Sequence, residues 1–307
     1  MKRHRSLLAP LLLALSALSQ AATYGAMVRV ATIYLAPDAK SSKLAEISRG
    51  QEVILIETSR EWIHIEAELG PEKTMTGWIL NKGAVFNNTP NGDKILFGEA
   101  VDSEDQASRR HGRKGAAQDA MRLYYHASGY FPTSPLAGEA LYRAADIRWQ
   151  IDRDDIFSRP SAREKDPGLR EPIDDEWMKQ VMKKFPGTKW ADLAAFHLLD
   201  NKICGDWQGA SKCPEKETDL YEKYANEHPQ SPSAPEAVYQ AAWRQSALVE
   251  IYKTEDKMGK SGDAKKRAIE ICQRLLDKYG QSDYAPRAHR LLYLLQQDIP
   301  TYGNEVN

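Results

Sequence analysis

The sequence predicts a multidomain chain in which a small all-β barrel precedes an all-α array of helical hairpins. Two observations carry that class. A stretch beginning at Pro132 returns 97 positions later. Pro132, Ser134, Pro135, Ala137, Glu139, Ala140, Tyr142, Ala144 and Ala145 match Pro229, Ser231, Pro232, Ala234, Glu236, Ala237, Tyr239, Ala241 and Ala242, and Tyr124 matches Tyr221. Duplication at this scale marks stacked units that bury a continuous core between neighbours. From 26 to about 86, by contrast, short β-branched or aromatic runs alternate with turn residues, the pattern of a small barrel.

The chain opens with Lys2, Arg3 and Arg5, then an uncharged apolar run over 7–18, then Ser19-Gln20-Ala21. Residues 1–21 are expected to be a signal peptide cut after Ala21. The apolar run is about a dozen residues, too short to span a bilayer core of roughly 30 Å as a helix. No cysteine lies near the cleavage point, so no lipid attachment is expected, and the mature protein is read as periplasmic or secreted. That segment carries three basic residues and no acid, so its removal leaves the chain more acidic than its overall formal charge of −1. Such a balance disfavours nucleic acid, which requires a basic surface. No later apolar run is long enough to cross a membrane.

Residues 24–88 hold the expected barrel. Its strand signals are Val28-Arg29-Val30, Ile33-Tyr34-Leu35, Glu52-Val53-Ile54-Leu55-Ile56, Trp62-Ile63-His64-Ile65 and Gly77-Trp78-Ile79-Leu80. Alternation sends Ile63 and Ile65 to one face and Trp62 and His64 to the other, so Trp62 is expected to be partly exposed if the isoleucines are inside. Trp62 and Trp78 either cover a marginal core or form, with Tyr34 as a third wall, an aromatic groove for a peptide or glycan strand.

Residues 89–104 read as a linker. Thr89-Pro90-Asn91-Gly92-Asp93 is a strong turn signal, and 94–97 are placed to close a last hairpin. The basic cluster over 109–114 reads as a solvated linker or an anion contact. Residues 105–300 then carry helical pattern, paired roughly as 105–130 with 134–153, 174–185 with 188–203, 215–228 with 232–253, and 263–280 with 283–297. Ser134-Pro135 and Ser231-Pro232 supply a capping hydroxyl ahead of a proline with helical φ. Ala137, Ala140 and Ala144 then recur on one helical face, which a neighbouring helix can approach closely, while Leu141 and Tyr142 are placed against the preceding helix. Prolines and charges between 158 and 172 predict a long exposed loop.

On these residues the duplicated unit resembles the tetratricopeptide-type (TPR-like) repeat of bacterial envelope proteins, in the style of the outer-membrane assembly lipoproteins. The copies around Pro186 and Ser282 are degenerate, with Gly280 at the turn-proline place and Arg290 at that of Tyr142. The strand series resembles the bacterial SH3 (SH3b) family: an opening strand, a Pro-Asp-Ala-Lys-Ser-Ser loop, Gly50 before the central strand, a Trp-x-x-Ile strand and a Gly-Trp-Ile strand. Residues 68–76 lengthen one hairpin, and Ile33-Tyr34-Leu35 departs from the usual opening strand. Together the resemblances imply a non-catalytic, exported binding protein of the cell envelope, with an envelope protein or peptide as partner and peptidoglycan as a second ligand. The competing class is a peptidoglycan hydrolase or an accessory subunit of a cell-wall enzyme.

Chemistry-bearing motifs are sparse. Cys204 and Cys213 bracket a short loop and are expected to form a local disulfide, whereas Cys272 sits among apolar residues as a buried thiol. Gly259-Lys260-Ser261 lacks the glycine and the strand that a phosphate loop needs, and Ile156 and Phe157 break a calcium-loop pattern begun at Asp152. No zinc spacing and no cofactor fingerprint is present, so no cofactor or catalytic residue is assigned. The candidate binding residues are Tyr34, Trp62 and Trp78 in the barrel and Tyr124, Tyr125, Tyr221 and Tyr224 on the first helices of the repeats. Tyr124 and Tyr221, being at matched positions, are open to a structural role as well.

Overall fold

The computed structural model describes residues 22–70 and 73–303, so the expected signal segment lies outside the described residues. Among the described residues seven strands come first: β1 (Thr23–Met27), β2 (Ala31–Tyr34), β3 (Lys43–Ile47), β4 (Glu52–Ser59), β5 (Trp62–Glu68), β6 (Thr74–Leu80) and β7 (Ala84–Phe86). They form one antiparallel sheet in the order β3-β2-β6-β5-β4-β1-β7. The alternation of β5 aims Ile63, Ile65 and Ala67 into a core with Met27, Ile33, Ile47, Val53 and Ile79. Trp62 departs from expectation: it is only 6% exposed, because Tyr34 meets its ring edge-on at 5.5 Å and covers the face turned from the isoleucines.

Nine α-helices follow among the described residues: α1 (Gly92–Ser108), α2 (Ala116–Tyr130), α3 (Ala137–Phe157), α4 (Glu176–Lys184), α5 (Lys189–His197), α6 (Lys212–Glu227), α7 (Ala234–Thr254), α8 (Met258–Tyr279) and α9 (Ala285–Gln296). The expected linker 89–104 is mostly α1, and 94–97 lie in that helix and close no hairpin. Leu96, Ala100 and Ser103 fall at i, i+4 and i+7 and are fully buried, so one stripe drives this helix onto α2 despite its low apolar content. Helical structure therefore begins at Gly92, ahead of the expected boundary at 105.

The sheet and the first helices share a core. In β1, Ala26 turns toward the helices and joins Val85, Leu96, Leu123 and Tyr124, while the next residue, Met27, turns into the sheet core. Gly50, at φ 77°, lies so close to α2 that a Cβ there would sit 2.9 Å from that of Arg122. Tyr130 donates its hydroxyl to Glu52 at 2.7 Å, with the Gly25 carbonyl 3.1 Å from the same oxygen, and Arg49 pairs with Glu99.

The alanine faces pack as their spacing demands. Ala137, Ala140 and Ala144 are fully buried, as are Ala234, Ala237 and Ala241, and Ala140 and Ala144 lie against Leu123 and Ala127 of α2. In both copies the serine hydroxyl accepts an N–H from two residues on, at 3.2 Å, and the helix proper starts just afterwards. Leu141 and Tyr142 correct the expectation of backward packing. Leu141 joins Met178, Val181 and Ala194, and Tyr142 stacks on Trp190, so both reach forward to α4 and α5. Between α5 and α6 the contact is made through side chains: Tyr224 donates to the Asp192 carbonyl at 2.8 Å, and His228 Nδ1 lies 2.8 Å from the Asp192 carboxylate.

The segment 158–175 contains two short 3-10 turns, Pro160–Arg163 and Pro167–Leu169. It is docked along the loop after α5: the amides of Gly205 and Asp206 donate to the carbonyls of Glu164 and Arg163, and Asn201 pairs with both backbone groups of Ile173.

Candidate functional site

The loop between α5 and α6 is closed by the Cys204–Cys213 disulfide, with the two Cα atoms 6.0 Å apart. Gly205 allows this loop to approach the 158–175 segment, since a Cβ there would meet the Glu164 carbonyl at 2.5 Å. Trp207 extends from the loop toward α6 and α7. Its indole N–H donates to Glu217 at 3.1 Å, and the same carboxylate oxygen accepts the Cys204 amide at 2.8 Å. The other oxygen of Glu217 accepts from Arg244 Nε at 2.6 Å, and Arg244 also donates to the Gln240 side chain. Glu217 and Arg244 are both buried, at 1% and 6% exposed. A buried carboxylate is tolerated only with its lone pairs filled, and here each oxygen has a partner.

This network sets the wall of an open cleft of about 620 Å³. Its lining includes Phe157 at the end of α3, Arg163 and Arg170 from the docked segment, Trp207, Trp243 of α7 and Tyr302. The Trp207 ring lies 5.1 Å from Trp243 and 5.6 Å from Tyr302, so three aromatic rings form one wall. Arg244 sits 4.4 Å from the Tyr221 ring and 5.7 Å from Trp207, bracing the wall from behind.

The sheet carries a second aromatic surface. Register places Tyr34 opposite Trp78, and Trp78 opposite His64 on β5. His64 stacks on Trp78 at 4.8 Å, and Tyr34 packs on Trp62. Tyr34, Trp62 and Trp78 thus come together on one face, with Tyr34 and Trp78 half-buried and Trp62 beneath.

The helical tyrosines divide differently from expectation. Tyr124 is fully buried, donates to Glu104 at 2.6 Å and accepts from Arg143, and burial pushes its hydroxyl far above the ordinary phenol value. Tyr221 is 6% exposed, its hydroxyl pushed up to about 12 by burial. Tyr224 is 3% exposed and holds Asp192 and Ser231. These three are core residues and are removed from the candidate binding surface. Tyr125 is half-buried, stacked on Trp177 at 4.5 Å, with Arg148 over that indole.

Sequence reasoning missed Phe157, Arg163, Arg170, Trp207, Trp243 and Tyr302 because they come from five separate segments. The available signal was a tryptophan inside a cysteine-bracketed loop. Among the described residues no group of three or more His, Cys, Asp or Glu is placed to hold a metal ion, and no helix is long and apolar enough to cross a membrane.

No family model matches the chain, and no curated protein matches it. Among solved structures, the chain is similar to the DHF58 filament at 16% identity over 67% of this chain and 91% of that one, with a TM-score of 0.24. The DHF79 filament gives 17% identity over 66% and 96%, with a TM-score of 0.23. The de novo designed helical repeat protein DHR64 gives 17% over 68% and 94%, with a TM-score of 0.22. Scores at this level identify neither the fold nor the function of this chain.

Proposed function

We propose that this chain is an exported, non-catalytic binding protein of a bacterial cell envelope. In this reading the sheet is an SH3b-like barrel that contacts peptide or cell-wall glycan, and the helices are a TPR-like array that holds a partner protein. The single observation that carries it is the cleft beside α7, where aromatic side chains and arginines meet on a wall already fixed by a disulfide and a buried ion pair. A surface ordered before ligand arrives loses less conformational freedom on binding. The aromatic face of the sheet supports a second, weaker contact, and two tethered contacts raise apparent affinity through effective concentration.

The competing reading, a peptidoglycan hydrolase or its accessory subunit, finds its best footing in the groove between β4, β5 and α2, where Glu52, Glu66 and Glu68 lie near His126. A cysteine nucleophile is disfavoured, since burial pushes the Cys272 thiol up to about 12. Incubating the purified mature chain with peptidoglycan separates the two classes. Co-sedimentation without released fragments, together with recovery of an envelope protein in a pull-down, is expected. Release of soluble fragments would sink the non-catalytic reading.

A further inference from the structure

We propose that the cleft beside α7 binds a carboxylate-bearing peptide, with the carboxylate on Arg170 and a neighbouring apolar side chain against Trp243 and Tyr302, which the largely buried Trp207 backs. The inference deepens the reading of the helices as a binding platform and rests on it.

The two central arginines of the cleft are in opposite situations. Arg244 already has its counter-charge: Glu217 takes its Nε, and Gln240 takes Nη1 through both its backbone and side-chain oxygens. Among the described residues Arg170 has one hydrogen-bond acceptor, the neutral carbonyl of Ile203, and its guanidinium lies 6.0 Å from the Phe157 ring. Its Nε is shielded from solvent and meets no acceptor, and among the described residues no carboxylate lies within ion-pair distance of it. Burial also lowers its pKa, outweighing the opposing attraction of Asp200 and Glu217, so its charged form is only partly compensated where it stands. A guanidinium presents five donors in a planar fork that matches a carboxylate through two parallel bonds. Arg170 thus lines the cleft with a terminal nitrogen, Nη1, from which no described residue accepts, and the nearest attracting carboxylates, Asp200 and Glu217, are already paired with Arg153 and Arg244.

The remaining lining narrows the class. Arg163 stands in the same segment without an ion pair among the described residues, its side chain exposed and its backbone held because its carbonyl accepts the Asp206 amide. Trp207 has already given its only polar hydrogen to Glu217, so toward the cleft it offers ring surface alone. At the back of this wall the Trp207 indole N–H and the Glu217 carboxylate are engaged with each other, so the surface left to a ligand is chiefly aromatic ring and guanidinium. A peptide with an apolar side chain beside a carboxylate needs one cation and one apolar wall, which is what remains. The exposed Asp206 on the same rim works against polyanions and so favours a single carboxylate.

The test uses the purified protein and three probes: N-acetyl-Ala-Ala-Phe with a free terminal carboxylate, the same tripeptide as its amide, and the amide of N-acetyl-Ala-Glu-Phe, whose carboxylate is on a side chain. Binding is read by calorimetry and by indole fluorescence, with Trp243→Phe checking that the optical signal arises in the cleft. At least one acid should bind saturably, and the amide lacking any carboxylate about tenfold or more weaker, as expected for loss of a charged hydrogen-bonded pair. The preferred acid identifies a chain terminus or an acidic side chain as the source. Arg170→Gln should lose about tenfold in affinity for that acid, and Arg170→Lys should recover part of it. Equal binding of acid and amide, unaltered binding by a folded Arg170→Gln variant, or no saturable binding of either acid at millimolar concentration would each overturn the proposal. If Arg170→Gln fails to fold, the contrast between acid and amide on the unaltered protein decides. Fragment release from peptidoglycan would overturn the non-catalytic reading while leaving that contrast standing.

Discussion

His126 shows how a single side chain couples the sheet to the helices. It is almost enclosed between α2 and the sheet, stacked on Tyr130 at 5.1 Å and 3.6 Å from Glu52, with Arg122 on the same helix. Burial, which outweighs the attraction of Glu52, holds its imidazole below the usual 6.5. A depressed imidazole value means the unfolded chain takes up the proton first as pH falls. Its contribution to stability is complete above about 6.5 and is lost as pH drops through the folded-state value. The melting temperature should therefore fall between pH 7 and pH 5, and His126→Gln should flatten that part of the profile. An unchanged slope in the variant would assign the acid sensitivity elsewhere. At this scale the sequence was partly legible. Matched repeat positions marked Tyr124 and Tyr221 as equivalent, and both are core. Nothing in the sequence distinguished Tyr224, which is buried, from Tyr125, which is half-exposed, because both alternatives suit a tyrosine on an amphipathic helix.

Among the elements, the loop joining α5 to α6 contributes more than a connection. It holds Trp207 in place, and its Gly205 and Asp206 amides carry the 158–175 segment. Replacing Cys204 and Cys213 together with serine should cost about 2–3 kcal/mol in urea unfolding, the chain-entropy value for so short a closed loop. Hydrogen exchange should rise at Gly205 and Asp206 while α8 and α9 remain protected; uniform loosening would show the loop to be part of the global fold instead. The α3 and α7 starts were legible to within two or three residues: each Ser-Pro forms the turn ahead of its helix, and the cap falls instead on Leu136 and Ser233, because the serine hydroxyl bonds an amide inside that turn. The first helix was not legible. Pro90-Asn91-Gly92 reads as a turn, and it is one, with Asn91 at φ 54°, but it ends a strand and begins a helix. Two apolar residues, Leu96 and Ala100, carry the buried stripe, too few for a periodicity argument to find.

On the scale of the molecule, the sheet and helices are read more accurately as fused than as strung together. Leu96 of α1 is fully buried among Ala26 of β1, Val85 of β7 and Leu123 of α2. Leu96→Ala should destabilise by about 2–5 kcal/mol, as truncations in packed cores do, and should speed amide exchange in β1, β7 and α2 together. Faster exchange confined to the helices would mean the sheet folds on its own. This union was invisible in the sequence because it is made with small residues. Ala26 and Gly50 permit close approach of the helices by what they lack, and such residues leave no apolar signature.

The positions of the three cysteines also order events during synthesis. Cys204 and Cys213 emerge nine residues apart, whereas Cys272 follows only after all of α7 and more than half of α8. A ribosome adds about 5–20 residues per second, while a ten-residue loop closes in about 10–100 ns. Wherever an oxidant meets the emerging chain, the native pair collides many times before its competitor exists. By the time Cys272 arrives, its helix folds it into a core where a thiolate is strongly disfavoured. Order of appearance thus favours the local pairing, and the burial of Cys272 keeps the third thiol out of later exchange.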